Sequence, residues 1–417
     1  MYTSHQPDQS PADYLLYYKR ATAYFSMQRH TSALEDFERV LSLTSNTFDN
    51  AHLMKARIHL REGQFALAKT ALELYTKSKG KDNDAEEVER NIVEGDRLRR
   101  KSLKERNAEL WNACVDSASQ ALRIASHSVE VRVWRTECSL SAGDVEGSVG
   151  DLTYVSVSLR VLCCLLSIPR RLSHLLPPST QLLTRIFKLS YFLLPPSSSA
   201  PQLLKQCLHY DPDSKPCLTL RRMAKSFDKA FAQLEELVGK EDWKGIIKLL
   251  VGSGAGKNGD LWKRYEEALL DNVGQERDLL PLVPSNILEQ VTPSPSSTSK
   301  SKQRIYLPLA TKVSPQRQIL VKALCKSYTR LADVVKSSTE YKKQTEKWCE
   351  ELLTLDGRKE DVDGLVGRGE ALLAKQEFDE AVRVLEKAFE ASGKGDRDVR
   401  ISIYRFVYIW GMLIFGL

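Results

Sequence analysis

Between Leu365 and Phe389 the chain reads LVGRGEALLAKQEFDEAVRVLEKAF, with the small residues Gly369, Ala381 and Ala388 set among the large ones Leu365, Leu372, Phe378 and Leu385. This spacing predicts two helices packed as an antiparallel hairpin, with Lys375-Gln376-Glu377 as the turn. Small residues let the two backbones approach, and large ones fill the groove between them. One hairpin of this kind leaves an apolar face uncovered. It therefore demands neighbours like itself, which restricts the chain to a stacked array.

Further copies are legible upstream. From Tyr14 to Thr44, the residues Tyr17, Ala21, Tyr24, Ala33, Phe37 and Val40 fall at matching positions. A second copy follows in phase, 35 residues on: Ala21 maps to Ala56, Tyr24 to His59, His30 to Phe65, Ala33 to Ala68 and Phe37 to Leu72. The pattern resembles the tetratricopeptide (TPR) repeat of about 34 residues. The fold class it implies is all-α, a right-handed superhelical TPR solenoid of antiparallel helix pairs with disordered insertions.

Seven segments follow from the pattern. Residues 1–80 hold two repeats; Ser10-Pro11-Ala12-Asp13 looks like the close of a preceding repeat, so the array start reads as truncated. Residues 81–153 hold a long linker helix and more repeats. In the linker, Asp82 to Arg106, apolar residues look too sparse for a core. After it, Cys114 and Ala121 are small positions between Trp111 and Ile124, and Gly143-Asp144 makes a turn. Residues 154–178 are an aberrant apolar insertion: deleting the 17 residues 154–170 nearly restores the phase, so an inserted translation product is expected. This stretch carries Arg160 and falls short of the ~20 apolar residues that a membrane span needs. Repeats resume over 179–272. Residues 273–310 are a disordered Pro/Ser-rich insertion, most evident at Pro293 to Lys302. Residues 311–392 hold the C-terminal repeats, and 393–417 are an apolar tail whose run from Phe406 is short for a bilayer.

Several chemistries are excluded on the same evidence of residues. The net charge of +7 is spread in mixed-sign runs such as RLRRKSLKER, without the clustered bases and stacking aromatics of a nucleic-acid surface. Val251 to Asp260, VGSGAGKNGD, lacks the Walker spacing and a preceding strand, so it reads as a flexible loop. The seven His are scattered singly, with His30 and His59 at ordinary core or turn positions, and Cys163-Cys164 are adjacent. No catalytic, cofactor-binding or metal-ligating set is expected, no cofactor, and no small-molecule substrate; the chain does not read as an enzyme.

Cys207 and Cys217 flank an inter-repeat turn in CLHYDPDSKPC, and Cys325 and Cys349 lie on the two helices of one hairpin. Both pairs are placed to form disulfides, which would require an oxidising compartment. Buried free thiols in a helical core fit the spacing equally well. The repeat layout, these cysteines, WRTECSLSAGDVEGSVGDL and LKQCLHYDPDSKPC together resemble a co-chaperone family of the endoplasmic reticulum (ER) lumen. Its members carry tandem TPRs ahead of a J domain: the DnaJ homolog subfamily C type, inhibitor of the interferon-induced eIF2α kinase. The resemblance covers about residues 11–392 apart from 154–170.

This resemblance implies disulfides at Cys207–Cys217 and Cys325–Cys349, and binding of misfolded polypeptides for transfer to an Hsp70-type chaperone. It also implies a place in the unfolded-protein response, with an eIF2α kinase as a further partner, and a location in the ER lumen. The sequence departs from the family at both ends. Met1 to Gln9 shows no basic start followed by an apolar core, which taken alone says cytosol. There is no His-Pro-Asp tripeptide, so a J domain is not legible, and ISIYRFVYIWGMLIFGL has no family counterpart, which reads as read-through. The alternative is a cytosolic TPR scaffold or adaptor, tethered by that tail. Adaptors that clamp two carboxylates need Lys and Asn where this chain offers Tyr18, Thr22, Leu53 and Arg57, which argues against that alternative. The candidate client-binding surface is Tyr17, Tyr24, Phe25 and Leu53, against the competing reading that each merely packs the array.

Overall fold

The structure is a computed structural model that describes residues 13–154, 179–196, 199–252, 260–275, 279–284, 307–334 and 339–393. The apolar segment 155–178, the Gly-rich residues 253–259, the Pro/Ser run at Pro293 to Lys302 and the tail after Gly393 lie outside the described residues. Every regular element among the described residues is a helix. None of these helices is long and apolar enough to cross a membrane. Contacts divide the chain into two compact units. The first holds Met1–Phe187, Leu203–Cys217 and Leu280–Leu307; the second holds Lys188–Gln202, Leu218–Leu279 and Pro308–Leu417.

The first unit begins with α1 (Tyr14–Ser26), α2 (His30–Leu43), α3 (Asp49–Arg61), α4 (Phe65–Lys79), α5 (Asn83–Asn107), α6 (Trp111–Ile124) and α7 (Val129–Ser141), followed by α8 at residues 145–154. Each helix packs on the next through α7, with α3 also touching α5, and α5 touching α7. Local sequence sets the starts. Asp13 caps α1 by accepting from the Leu15 amide at 3.0 Å, and Asp82 caps α5 by accepting from Ala85 at 2.9 Å. Both satisfy amides that the first helical turn leaves unpaired.

One turn recurs. Three residues separate α1 from α2, α3 from α4, α5 from α6 and α7 from α8, and the middle residue is left-handed each time: Gln28, Gly63, Glu109 and Gly143. The third turn residue donates its amide to the carbonyl five positions back, as in Arg29 to Tyr24 and Gln64 to His59, both at 2.8 Å. That 6→1 bond satisfies a helix-end carbonyl and reverses the chain.

The long helix α5 corrects one expectation. Its buried positions are Ala85, Val88, Ile92, Gly95, Leu98 and Ser102. They recur every three or four residues, so they form one continuous stripe. Ala85, Val88 and Ile92 complete a core with Leu53, Phe65, Leu72 and Tyr75, while Leu98 packs with Ala118, Ala121 and Val131. The stripe is rich in small residues, which is why it looks too thin for a core in the sequence.

The remaining helices are α9 (Thr180–Leu193), α10 (Ser199–Tyr210), α11 (Lys215–Gly239), α12 (Trp243–Leu250), α13 (Leu261–Val273), α14 (Ala310–Val313), α15 (Pro315–Val334), α16 (Thr339–Thr354), α17 (Val362–Ala374) and α18 (Phe378–Ala391). Within the second unit, α12 packs on α15, and α15 to α18 pack in series. Tyr265 lies among Phe192, Phe227 and Phe231, with ring centroids 5.3–5.9 Å away, and its hydroxyl donates to Gln316 Oε1 at 2.8 Å. The same three-residue turn joins α11 to α12 at Glu241 and α17 to α18 at Gln376. Gly369 sets the approach of the last pair: a Cβ there would lie 2.6 Å from Leu385 Cδ2.

Candidate client-binding surface

Five of the thirteen residues of α1 are aromatic, more than one buried stripe can absorb. Tyr14, Tyr17, Tyr18, Tyr24 and Phe25 are therefore only partly buried, arranged around a core of Ala21, Ala33, Phe37, Val40, Leu41, Ala51 and Ile58. Tyr14 and Tyr18 turn toward Phe48, edge to face at 5.5 and 5.0 Å. Tyr17, Tyr24 and Phe25 are engaged by guanidinium groups instead. Arg20 lies 5.4 Å from the Tyr17 ring and 5.9 Å from the Tyr24 ring. Arg29 lies 4.9 Å from Tyr24, and Arg61 4.5 Å from Phe25. Arg20 is held in a fork on Asp36, donating from Nε at 2.8 Å and Nη2 at 2.7 Å, and this bond raises its pKa above the ordinary arginine value. The result is a surface of flat rings and delocalised cations, stiff because each ring has only two side-chain torsions.

The fourth residue read as surface, Leu53, does not belong to it. It is 5% exposed and sits in the core of the second repeat with Ala56, Leu60, Phe65 and Ala68. The spacing 53, 56, 60 places it on the buried stripe of α3, so it has little area left for a client. The exposed apolar side chains of the first hairpin are Leu15 (45%) and Met27 (57%), which the sequence reading missed because neither falls on the repeat consensus.

The cysteines among the described residues come together in three places. Cys207 and Cys217 have sulfurs at bonding distance with Cα atoms 6.4 Å apart, and so do Cys325 and Cys349, with Cα atoms 4.8 Å apart. The third pair, Cys114 and Cys138, joins α6 to α7 with a Cα separation of 6.1 Å. Sequence reasoning treated Cys114 as a small packing residue, and it is fully buried. A signal was available: Cys114 and Cys138 are 24 positions apart, the same separation as Cys325 and Cys349.

Three residues that look unrelated along the chain also converge. His30 starts α2, Glu62 follows α3 in its turn, and His127 lies in the loop before α7. His30 Nδ1 contacts Glu62 Oε1, and the His30 and His127 rings are 4.6 Å apart. One ligand atom from each of the three lies within 4.8 Å of the others. Gly63 permits this approach, since its φ is +75° and a Cβ there would meet Ser128 Oγ at 2.5 Å. Burial lowers the pKa of His127, with His30 adding to the effect. The expectation of scattered, unrelated His is thereby corrected for this pair: residues at turn positions of separate repeats meet because stacking aligns the turn ends.

A family model described as "Tetratricopeptide repeat" matches residues 14–47, the first hairpin. The co-chaperone named "Tetratricopeptide repeat and J domain-containing co-chaperone DNJ1" from Cryptococcus neoformans var. grubii is 32% identical over 386 residues, covering 92% of this chain and 63% of the relative. DnaJ homolog subfamily C member 3 from Rattus norvegicus is 23% identical over 397 residues, covering 94% of this chain and 62% of the relative. The chain is similar to these TPR co-chaperones over more than nine-tenths of its own length. It spans about three-fifths of the length of the two relatives. The crystal structure of the P58(IPK) TPR domain matches its fold with a TM-score of 0.57 at 20% identity, covering 97% of this chain and 91% of that one. The helix pairs described above are thus TPR hairpins.

Proposed function

We propose that this chain holds unfolded or misfolded polypeptide on the aromatic and arginine surface of α1 and its neighbours, for transfer to an Hsp70-type chaperone in the endoplasmic reticulum lumen. The observation that carries this reading is the set of half-buried rings Tyr17, Tyr24 and Phe25 under guanidinium groups. Such a surface recognises apolar side chains by burial at ~25 cal/mol per Å² and needs no fixed sequence in the client. Rings of few torsions lose little entropy on binding, which suits a site that must accept many partners. The role is one of holding, without a reaction. Stimulating Hsp70 is work for a J domain, and the residues described here supply the client-binding part.

The lumenal assignment is supported by the three cysteine pairs at bonding distance, because disulfides persist in oxidising compartments and are rare in the cytosol. In that setting the protein serves the unfolded-protein response, with an eIF2α kinase as the further partner that the family resemblance suggests. The test is suppression of aggregation of a reduced, unfolded client by the purified chain, combined with peptide mapping under non-reducing conditions. Suppression lost in a Tyr24→Ala/Phe25→Ala double variant, and linked Cys207–Cys217 and Cys325–Cys349 peptides from freshly isolated protein, are the expected results. Free thiols at all these positions would instead favour a cytosolic TPR scaffold.

A further inference from the structure

We propose that His30, Glu62 and His127 bind one divalent transition-metal ion of the zinc type, which clips the turn ends of the first two repeats to the loop before α7. The donor set is two imidazoles and one carboxylate, the chemistry that selects zinc and its neighbours over magnesium or calcium. The three donor atoms already lie within 4.8 Å of one another. Tetrahedral zinc with bonds of about 2.1 Å places its donors about 3.4 Å apart, so side-chain rotations on the order of an ångström close the set.

The supports of the site are built from backbone. The His127 amide donates to the Arg61 carbonyl at 2.9 Å, and Gly63 lets the turn close on Ser128. His127 Nδ1 is bonded to Ser126 Oγ at 2.9 Å, which orients the ring and leaves Nε2 for the ion. His30 is 5% exposed, and its Nδ1 already meets Glu62. With both residues as ligands, that nitrogen and the Glu62 carboxylate turn from each other to the same ion.

The cations facing His127 are Arg61 and Arg132. Both are turned to other partners: Arg61 lies over Phe25, and Arg132 lies over Tyr154 while bonding Asp151 at 3.0 Å. Phe25 stacks on His30 at 5.8 Å, so an ion held here would stiffen an edge of the aromatic surface.

The experiment uses the purified, oxidised, metal-free chain, titrated with Zn²⁺ by calorimetry and with Co²⁺ by visible absorption. The expected result is one ion per chain and a cobalt spectrum of nitrogen and oxygen ligands, without the near-ultraviolet thiolate-to-cobalt band. Glu62→Gln and His127→Gln each remove a ligand, so each is expected to weaken binding by more than the roughly 10–100-fold that losing an outer-shell partner costs, with folding checked by circular dichroism. Glu62 and His127 are both only partly buried and lie outside the helices, so their variants are less exposed to a folding defect than one at buried His30. Absence of saturable binding, binding that survives both substitutions, or a thiolate band would each overturn the assignment.

Discussion

Replacing Cys114 and Cys138 together by alanine removes the link between α6 and α7 while keeping small apolar groups at two fully buried positions. A bridge between residues 24 positions apart restricts the unfolded chain. The loop-closure relation assigns it about 3.4 kcal/mol at 25 °C. With 1.4 kcal/mol per tenfold, the open population of this helix pair should rise about 300-fold. Amide hydrogen exchange reads this locally, which matters in an array whose repeats open in separate units. The slowest amides of α6 and α7 should exchange about 300-fold faster in the variant than in oxidised wild type, and reductant should bring wild type to the variant's rate. Reductant should leave the variant's own α6 and α7 rates almost unchanged. Equal exchange in the oxidised wild type and the variant would refute the reasoning, because it would mean that no covalent link constrains this pair.

Other consequences follow from named contacts. Gly369→Ala forces Leu385 to shift from a Cβ placed 2.6 Å from its Cδ2, and should destabilise α17 and α18 by about 1–3 kcal/mol, read as a lower thermal midpoint. Arg20→Ala leaves the buried Asp36 carboxylate without its fork and should cost about 3 kcal/mol in urea unfolding. Arg20→Lys should recover only part of that, since an ammonium cannot form the two parallel bonds. Burial lowers the pKa of His59 from its ordinary 6.5, so the folded state takes up a proton less readily than the unfolded one. Its contribution is present above pH 6.5 and lost as pH falls through that value toward the folded pKa. The slope of stability against pH between about 7 and 5 should accordingly flatten in His59→Gln.

Much of the hairpin chemistry is legible in the sequence because it is local. Lys375-Gln376-Glu377 forms the turn between α17 and α18, and the small positions Ala21, Ala33, Ala56, Ala68, Ala381 and Ala388 are all fully buried. What the sequence hides is non-local, or is carried by residues without hydropathy. The core stripe of α5 rests partly on Ala85, Gly95 and Ser102, which score as neutral or polar. Leu53 stands among the residues read as client surface, yet its own helical period buries it. His30, Glu62 and His127 sit in three different turns or turn ends, and only the stacking of repeats brings them within 4.8 Å. The Cys114–Cys138 pair needed a comparison of spacings between distant hairpins rather than a search for close cysteines.

The most direct test of the account is the affinity of the oxidised chain for a permanently unfolded polypeptide, measured by fluorescence anisotropy for wild type and two variants. The Tyr24→Ala/Phe25→Ala variant gives up roughly 60 Å² of client-covered apolar area, which at ~25 cal/mol per Å² predicts about tenfold weaker binding. Leu53→Ala, in the core, should lower stability and leave the affinity of the folded protein unchanged. Wild-type binding that is undetectable, or a Tyr24→Ala/Phe25→Ala variant that binds as tightly as wild type while Leu53→Ala does not, would contradict the placement of the client surface on α1.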